Sequence, residues 1–90
     1  MIKENKFFVK NLNSVVFLGQ SDDFAKLIKI NNSLKLETII ITSTHQSKLI
    51  DNKIDFKIFD KLDEKFRNFI NKKVNKENTI FISLAARYIF

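Results

Sequence analysis

Two aspartates stand where an apolar run meets a helical pattern, in the stretch VVFLGQSDDFAKLI from Val15 to Ile28. Such a junction often binds a phosphate, because the first N–H groups of the helix point at it. Asp22 and Asp23 would repel a phosphate and attract a cation. We therefore expect an amine or another cation, rather than an anion, at the turn formed by Gly19, Gln20, Ser21, Asp22 and Asp23.

The same turn has an ordinary structural explanation. Ser21 or Asp22 is a suitable N-cap, and acids near a helix start stabilise the helix by roughly 0.5–2 kcal/mol. Gly19, the only glycine of the chain, provides a positive φ or a close backbone approach. The dinucleotide fingerprint needs three glycines and a later acid, and the phosphate-binding loop needs a Gly-Lys-Ser/Thr sequence. Neither motif is present.

The single histidine, His45, follows the second apolar run. A triad of Ser43, His45 and Asp51 can be written on paper, but the sequence has no nucleophile elbow. No second histidine and no cysteine exists to complete a metal site or a disulfide. We assign no catalytic residue and no metal ligand.

The chain of 90 residues has a net charge of +6 and is 44% hydrophobic. Its lysines are scattered rather than clustered, which argues for a solvated basic surface and against nucleic-acid binding. A nucleic-acid protein would show steep salt dependence. No apolar run approaches the roughly 18 residues of a membrane span, and the N-terminus lacks a signal-peptide core. We expect a cytoplasmic protein without a membrane partner.

The periodicity of apolar residues predicts six elements after a polar lead-in over residues 1–13. Continuous β-branched runs predict buried strands, and apolar residues three or four apart predict helices. Asp60 is the expected cap of the second helix, with Asp63 and Glu64 in its first turn. The expected elements are strands at 14–19, 37–43, 54–60 and 79–84, a first helix with the stripe Phe24, Leu27, Ile28 and Leu34, and a second helix with the face Leu62, Phe66, Phe69, Ile70 and Val74.

This order indicates a three-layer α/β domain over residues 14–90, with a Rossmann-like open parallel sheet in strand order 3-2-1-4. In such sheets the binding crevice lies beyond the strand carboxyl ends where the topology reverses. Here that point lies between the first and fourth strands. The turn at Gly19 to Asp23 and the segment after the last strand, Ala85 to Phe90 with Arg87, should flank one cleft.

Two stretches together resemble the folate-dependent formyltransferases. In the methionyl-tRNA formyltransferases the first strand and turn read F-x-G-T-P-x-F-A; here Phe17, Leu18 and Gly19 are followed by four residues, then Phe24 and Ala25. The turn is one residue longer and lacks the proline. The stretch TIFISLAARYIF is similar to the family's fourth strand and the turn that lines the formyl-folate pocket. The sugar-amine formyltransferases are at least as similar as the tRNA enzymes.

The resemblance implies the N-terminal part of a catalytic domain that moves formyl from 10-formyltetrahydrofolate to an amine. It implies that Gly19, Gln20, Ser21, Asp22 and Asp23 face the acceptor, and that the folate contacts Ala85, Ala86, Arg87 and Tyr88. The family's catalytic Asn, His and Asp lie on later elements, and His45 does not match that His. We therefore expect this chain to be the incomplete front part of a larger domain and to be inactive by itself.

One alternative stays open. The chain could be a non-enzymatic α/β binding or interaction module. It would then use an exposed edge of its fourth strand to dock a partner or to form a homodimer.

Overall fold

The computed structural model describes residues 12–84, which form one open sheet with helices on both faces. The predicted folate-contacting residues Ala85 to Tyr88 and the lead-in up to residue 11 lie outside the described residues. The elements in chain order are β1 (Ser14–Gly19), α1 (Phe24–Ser33), β2 (Glu37–Thr42), α2 (Thr44–Ser47), β3 (Lys57–Ile58), α3 (Glu64–Lys73), a 3₁₀ turn (Lys76–Asn78) and β4 (Thr79–Leu84).

The four strands are all parallel and lie in the order β3-β2-β1-β4, as the alternation of strands and helices predicts. β1 is central, with Val16 opposite Ile39 of β2 on one side and Phe81 of β4 on the other. All six of its residues are buried. The topology reverses between β1 and β4, as the predicted strand order requires.

Alternation along the strands divides the core into two clusters, one on each face of the sheet. Val16, Leu18, Ile39 and Ile41 pack with Phe66 and Ile70 of α3. Val15, Phe17 and Ile40 pack on the other face with Phe24 of α1 and with Ile50. The five predicted face residues of the second helix, now α3, all belong to the first cluster: Leu62, Phe66, Phe69, Ile70 and Val74.

The predicted stripe of α1 is wrong at its end, because Leu34 is 62% exposed. Asn31 takes the inward position, and its amide donates a 2.8 Å hydrogen bond to the Thr38 hydroxyl. The helix stops in a Schellman motif, in which Lys35 N–H bonds Asn32 C=O and Leu36 N–H bonds Asn31 C=O. Lys35 has φ 61° there, a conformation that sequence reasoning would assign to glycine.

Both predicted helix caps are wrong. The N-cap of α3 is Asp63, whose carboxylate accepts from the N–H groups of Lys65 and Phe66, whereas Asp60 bonds Thr44. The N-cap position of α1 is held by Asp23, and its side chain makes no capping bond. Asp60 is instead engaged in a long-range contact, and Asp63, directly before the first residue of α3, caps the helix.

The two edge strands also differ from expectation. β3 pairs with β2 through Lys57 and Ile58 only, instead of through residues 54–60. β4 has the predicted bounds but is not buried: Ile80, Phe81 and Ile82 are 37%, 40% and 37% exposed. An edge strand has a neighbour on one side only, which leaves its apolar side chains partly uncovered.

Candidate functional site

The carboxyl ends of β1 and β4 are joined at the predicted crevice. Gly19 pairs with Leu84, and the next N–H, of Gln20, donates a 2.9 Å bond to the Leu84 carbonyl. Gly19 is buried and has φ 122°, a region that favours glycine because other residues have a Cβ. The single glycine of the chain therefore turns β1 toward α1 while keeping the β4 end within hydrogen-bond distance.

The side chains of the turn form hydrogen bonds within the turn. The Ser21 hydroxyl accepts a 3.0 Å bond from the Asp23 N–H. The Gln20 side-chain amide donates to the Asp22 carboxylate at 3.1 Å. Both Asp22 and Asp23 are exposed. The two negative charges therefore face solvent at the rim, and the Asp23 carboxylate is not engaged in capping.

The second predicted wall begins at Leu84, the last described residue. The predicted folate-contacting residues Ala85, Ala86, Arg87 and Tyr88 lie outside the described part. The geometry shows where this segment begins, because the carbonyl of Leu84, the residue before Ala85, accepts a hydrogen bond from the Gln20 N–H. The five predicted acceptor-facing residues are brought together in one turn: Gly19, Gln20, Ser21, Asp22 and Asp23.

A second set of polar groups lies at the carboxyl end of β2. Thr44 donates to Asp60 from both its N–H and its hydroxyl, each at 2.7 Å. These bonds, first from the backbone and then from the side chain, hold the pKa of Asp60 below its ordinary value of 3.8. This clamp ties the start of α2 to the chain after β3, and it fixes the outer part of the rim.

The structure does not assemble Ser43, His45 and Asp51 into a triad. The Ser43 hydroxyl donates to the Gln46 side-chain oxygen and accepts from the Gln46 N–H. The Asp51 carboxylate accepts from the Lys53 N–H. The His45 side chain is exposed. Ser43 and Asp51 therefore have local structural roles, which agrees with the absence of a nucleophile elbow.

Sequence reasoning missed one buried group. The hydroxyl of Thr42, at the end of β2, is 0% exposed and has no hydrogen-bond partner within residues 12–84. Its position two residues after Ile40 places it on the sheet face that packs against α1. The only sequence feature that could have indicated this buried hydroxyl is a threonine at the end of an apolar, β-branched run.

Two cavities lie along the outer edge of β2, with volumes of about 410 and 610 Å³. Within residues 12–84 no three His, Asp or Glu side chains come together as a metal site. No helix of that part of the chain is long and apolar enough to cross a bilayer.

Comparison with models of known protein families, with curated proteins and with solved structures finds no match to this chain.

Proposed function

We propose that this chain is the N-terminal portion of a formyltransferase-like protein that transfers formyl from 10-formyltetrahydrofolate to an amine. The observation that carries the proposal is the junction of Gln20 and Leu84 at the reversal point of the sheet. The two stretches that resemble the formyltransferases meet at that junction. That both stretches lie at one place in the fold supports the proposal.

The acceptor would lie against the turn from Gly19 to Asp23. Primary amines are protonated near neutral pH and arrive as cations, so the exposed carboxylates of Asp22 and Asp23 would raise their local concentration. The folate would lie against the backbone from Ala85 to Tyr88. The acceptor would be a sugar amine or the amino group of methionyl-tRNA.

The chain would contribute binding walls and no proton-transfer group. The Asn-x-His segment used by the formyltransferases has no counterpart among these 90 residues, and His45 lies at the β2 end of the rim instead. We therefore expect no formyl transfer by this chain alone. Transfer would need the elements that supply the Asn, His and Asp of the family.

The reading frame after the codon of Phe90 tests the proposal. We expect an Asn-x-His segment within roughly 15–30 residues, about one crossover and one strand. A frame that continues past that distance without such a segment would sink the proposal. When the segment is present, the extended protein should formylate an amine, and replacing its His with Ala should abolish the transfer.

Ligand binding tests the cleft separately. 5-Formyltetrahydrofolate, a stable analogue, should shift the amide signals of Gln20 and Leu84 in a ¹⁵N-labelled sample of the extended protein. Signals at the β3 edge, such as Lys57, serve as the internal control. Saturable shifts at the β3 edge but not at Gln20 and Leu84 would contradict the assigned cleft.

The exposed edge of β4 favours a second candidate, an interaction module that pairs with a second copy through this strand. Ile80, Phe81 and Ile82 are 37–40% exposed, and no charged residue lies between Thr79 and Leu84. Natural sheet edges usually carry lysine or proline that blocks pairing. At the opposite edge of this sheet β3 is two residues long and carries Lys57.

Light scattering after size exclusion distinguishes the two candidates for the 90-residue chain. A stable, well-dispersed dimer that becomes a monomer on Phe81→Lys supports the module, whereas aggregation or loose packing supports a portion of a larger domain. Lys57→Glu at the other edge is the matched control, because it changes charge without touching β4. A dimer that survives Phe81→Lys and dissociates on Lys57→Glu would rule out pairing through β4.

A further inference from the structure

The outer edge of β2 is open over its first half. β3 pairs only with Ile41 and Thr42, so the edge from Glu37 to Ile40 has no strand partner within residues 12–84. The Glu37 N–H bonds toward β1, at Asn13, while the Thr42 carbonyl bonds toward β3, at Phe59. Because these directions alternate along a strand, Thr38 turns its main-chain N–H and C=O outward, to the open side.

A cavity of about 610 Å³ lies beside this open edge, between α1, β2 and the chain that precedes β3. We refer to it as the edge cavity. Its apolar lining comes from three elements: Ala25, Ile28, Ile40 and Ile54. Ile40 is buried, while Ile28 and Ile54 are half-buried. The edge cavity therefore offers an apolar floor at the side of a strand whose outward main-chain groups have no strand partner within residues 12–84.

Hydrogen-bond acceptors dominate the rim of the edge cavity. Three carboxylates line it, those of Glu37, Asp51 and Asp55, against the one ammonium of Lys53. This excess of negative charge is local, because the whole chain has a net charge of +6.

The three carboxylates differ in whether they interact with other residues of the chain. Glu37 lies 3.9 Å from Lys73, and one Asp51 oxygen accepts from the Lys53 N–H. Asp55 is exposed and has no hydrogen bond or ion pair with any of residues 12–84. A ligand that complements such a rim must supply positive charge and several donors.

We propose that the edge cavity binds a small organic ammonium ion. Its apolar body lies on Ile28, Ile40 and Ile54, and its ammonium group faces the carboxylates of Asp55 and Asp51 and the outward carbonyl of Thr38. Three observations favour this ligand class: the open strand edge, the apolar floor and the local excess of negative charge. The residues that would hold the ammonium group belong to the β2 edge and the chain before β3, not to the turn at Gly19 to Asp23, so the proposal does not depend on formyl transfer.

Three probes of similar size test the charge requirement on the ¹⁵N-labelled 90-residue chain. 2-Phenylethylamine should cause saturable amide shifts at Thr38, Ile54 and Asp55. 2-Phenylethanol, with the same body but no charge, should bind at least about threefold more weakly, and 3-phenylpropionate weaker still. Equal binding of amine and alcohol, or no saturable shift at these residues with the amine, would overturn the proposal.

Matched variants locate the charge. Asp55→Asn should weaken the amine about threefold and leave the alcohol unchanged, while Ala25→Phe should fill the cavity and weaken both probes. Asp22→Asn, an equally exposed aspartate at the β1 turn, should leave the edge cavity's affinity unchanged. If Asp22→Asn weakens the amine and Asp55→Asn does not, the amine binds at the turn, which contradicts this proposal and leaves the proposed function standing.

Discussion

Thr44 donates two hydrogen bonds, from its N–H and its hydroxyl, to the two carboxylate oxygens of Asp60, each at 2.7 Å. The partners are 16 residues apart in sequence, so the pair closes the loop that contains α2 and β3. This long-range clamp consists of two exposed polar residues. Neither residue type predicts the contact from the sequence.

This clamp predicts a specific pH dependence. The pKa of Asp60 is lowered in the folded chain by the Thr44 backbone and hydroxyl bonds. A lowered folded pKa stabilises the fold above the unfolded value of about 3.9, and this contribution is lost as the pH falls through the folded pKa. Thr44→Val removes one of the two bonds, so the Asp60 pKa should rise toward its ordinary value in a carboxyl NMR titration. An unchanged Asp60 pKa in Thr44→Val would contradict the clamp, and Asp51 provides an unrelated aspartate as control.

Gly19→Ala should destabilise the chain. Gly19 is buried with φ 122°, and a residue with a Cβ held in such a region costs about 1–3 kcal/mol. The loss should appear as a lower urea midpoint at an unchanged slope. Because the Gln20 bond to Leu84 depends on this turn, the Gln20 amide should also exchange faster with solvent. A wild-type midpoint would show that the turn relaxes without cost.

Lys35→Gly should have the opposite sign. Lys35 occupies the left-handed position of the Schellman motif that ends α1, with φ 61°. Glycine adopts that conformation without a Cβ penalty, and we expect a gain of about 0.5–1 kcal/mol. Lys29→Gly, at an exposed position inside the same helix, is the matched control and should destabilise by a similar amount. A loss in both variants would mean that φ at residue 35 is negative in solution.

Thr42→Val should be neutral or stabilising by up to about 1 kcal/mol, because it removes a buried hydroxyl that has no partner within the described residues. Thr79→Val is the matched control. The Thr79 hydroxyl donates a 2.7 Å bond to the Asn75 carbonyl, and its loss should cost about 1 kcal/mol. Chemical denaturation of both variants compares the two hydroxyls directly. Destabilisation by Thr42→Val would indicate a hydrogen bond that the structure lacks.

The sheet was accessible to sequence reasoning because its signals are strong and redundant. β1 and β2 are apolar runs that contain β-branched residues, and the α3 face repeats over Phe66, Phe69 and Ile70. Strand order follows once the alternation of elements is known. The burial of β4 was mispredicted, since an apolar run does not reveal how many neighbours a strand has.

The helix ends were not accessible, and the reason is physical. Asp60 and Asp63 are equally good caps by type, and only the contact with Thr44 decides between them. Lys35 adopts a glycine-like conformation because Asn31 is held inward by Thr38. Both outcomes depend on partners elsewhere in the chain.

The two candidate sites also differ in whether the sequence predicts them. The turn at Gly19 to Asp23 could be placed from topology alone, since the reversal point is a property of strand order. The edge cavity could not, because it exists only where β3 pairs for two residues and leaves Thr38 uncovered.

The contrast between the two sheet edges sets how far this chain can associate. Two copies that pair through β4 would be related by a twofold axis, which uses the β4 edge of both copies. The opposite edge consists of the two-residue β3, which bears Lys57, and of the short open stretch of β2 from Glu37 to Ile40, so it offers little length for a further strand. Pairing through β4 would therefore give a dimer with one continuous sheet of eight strands instead of a fibre. An assembly that stops at two copies would distinguish this dimer from open-ended aggregation.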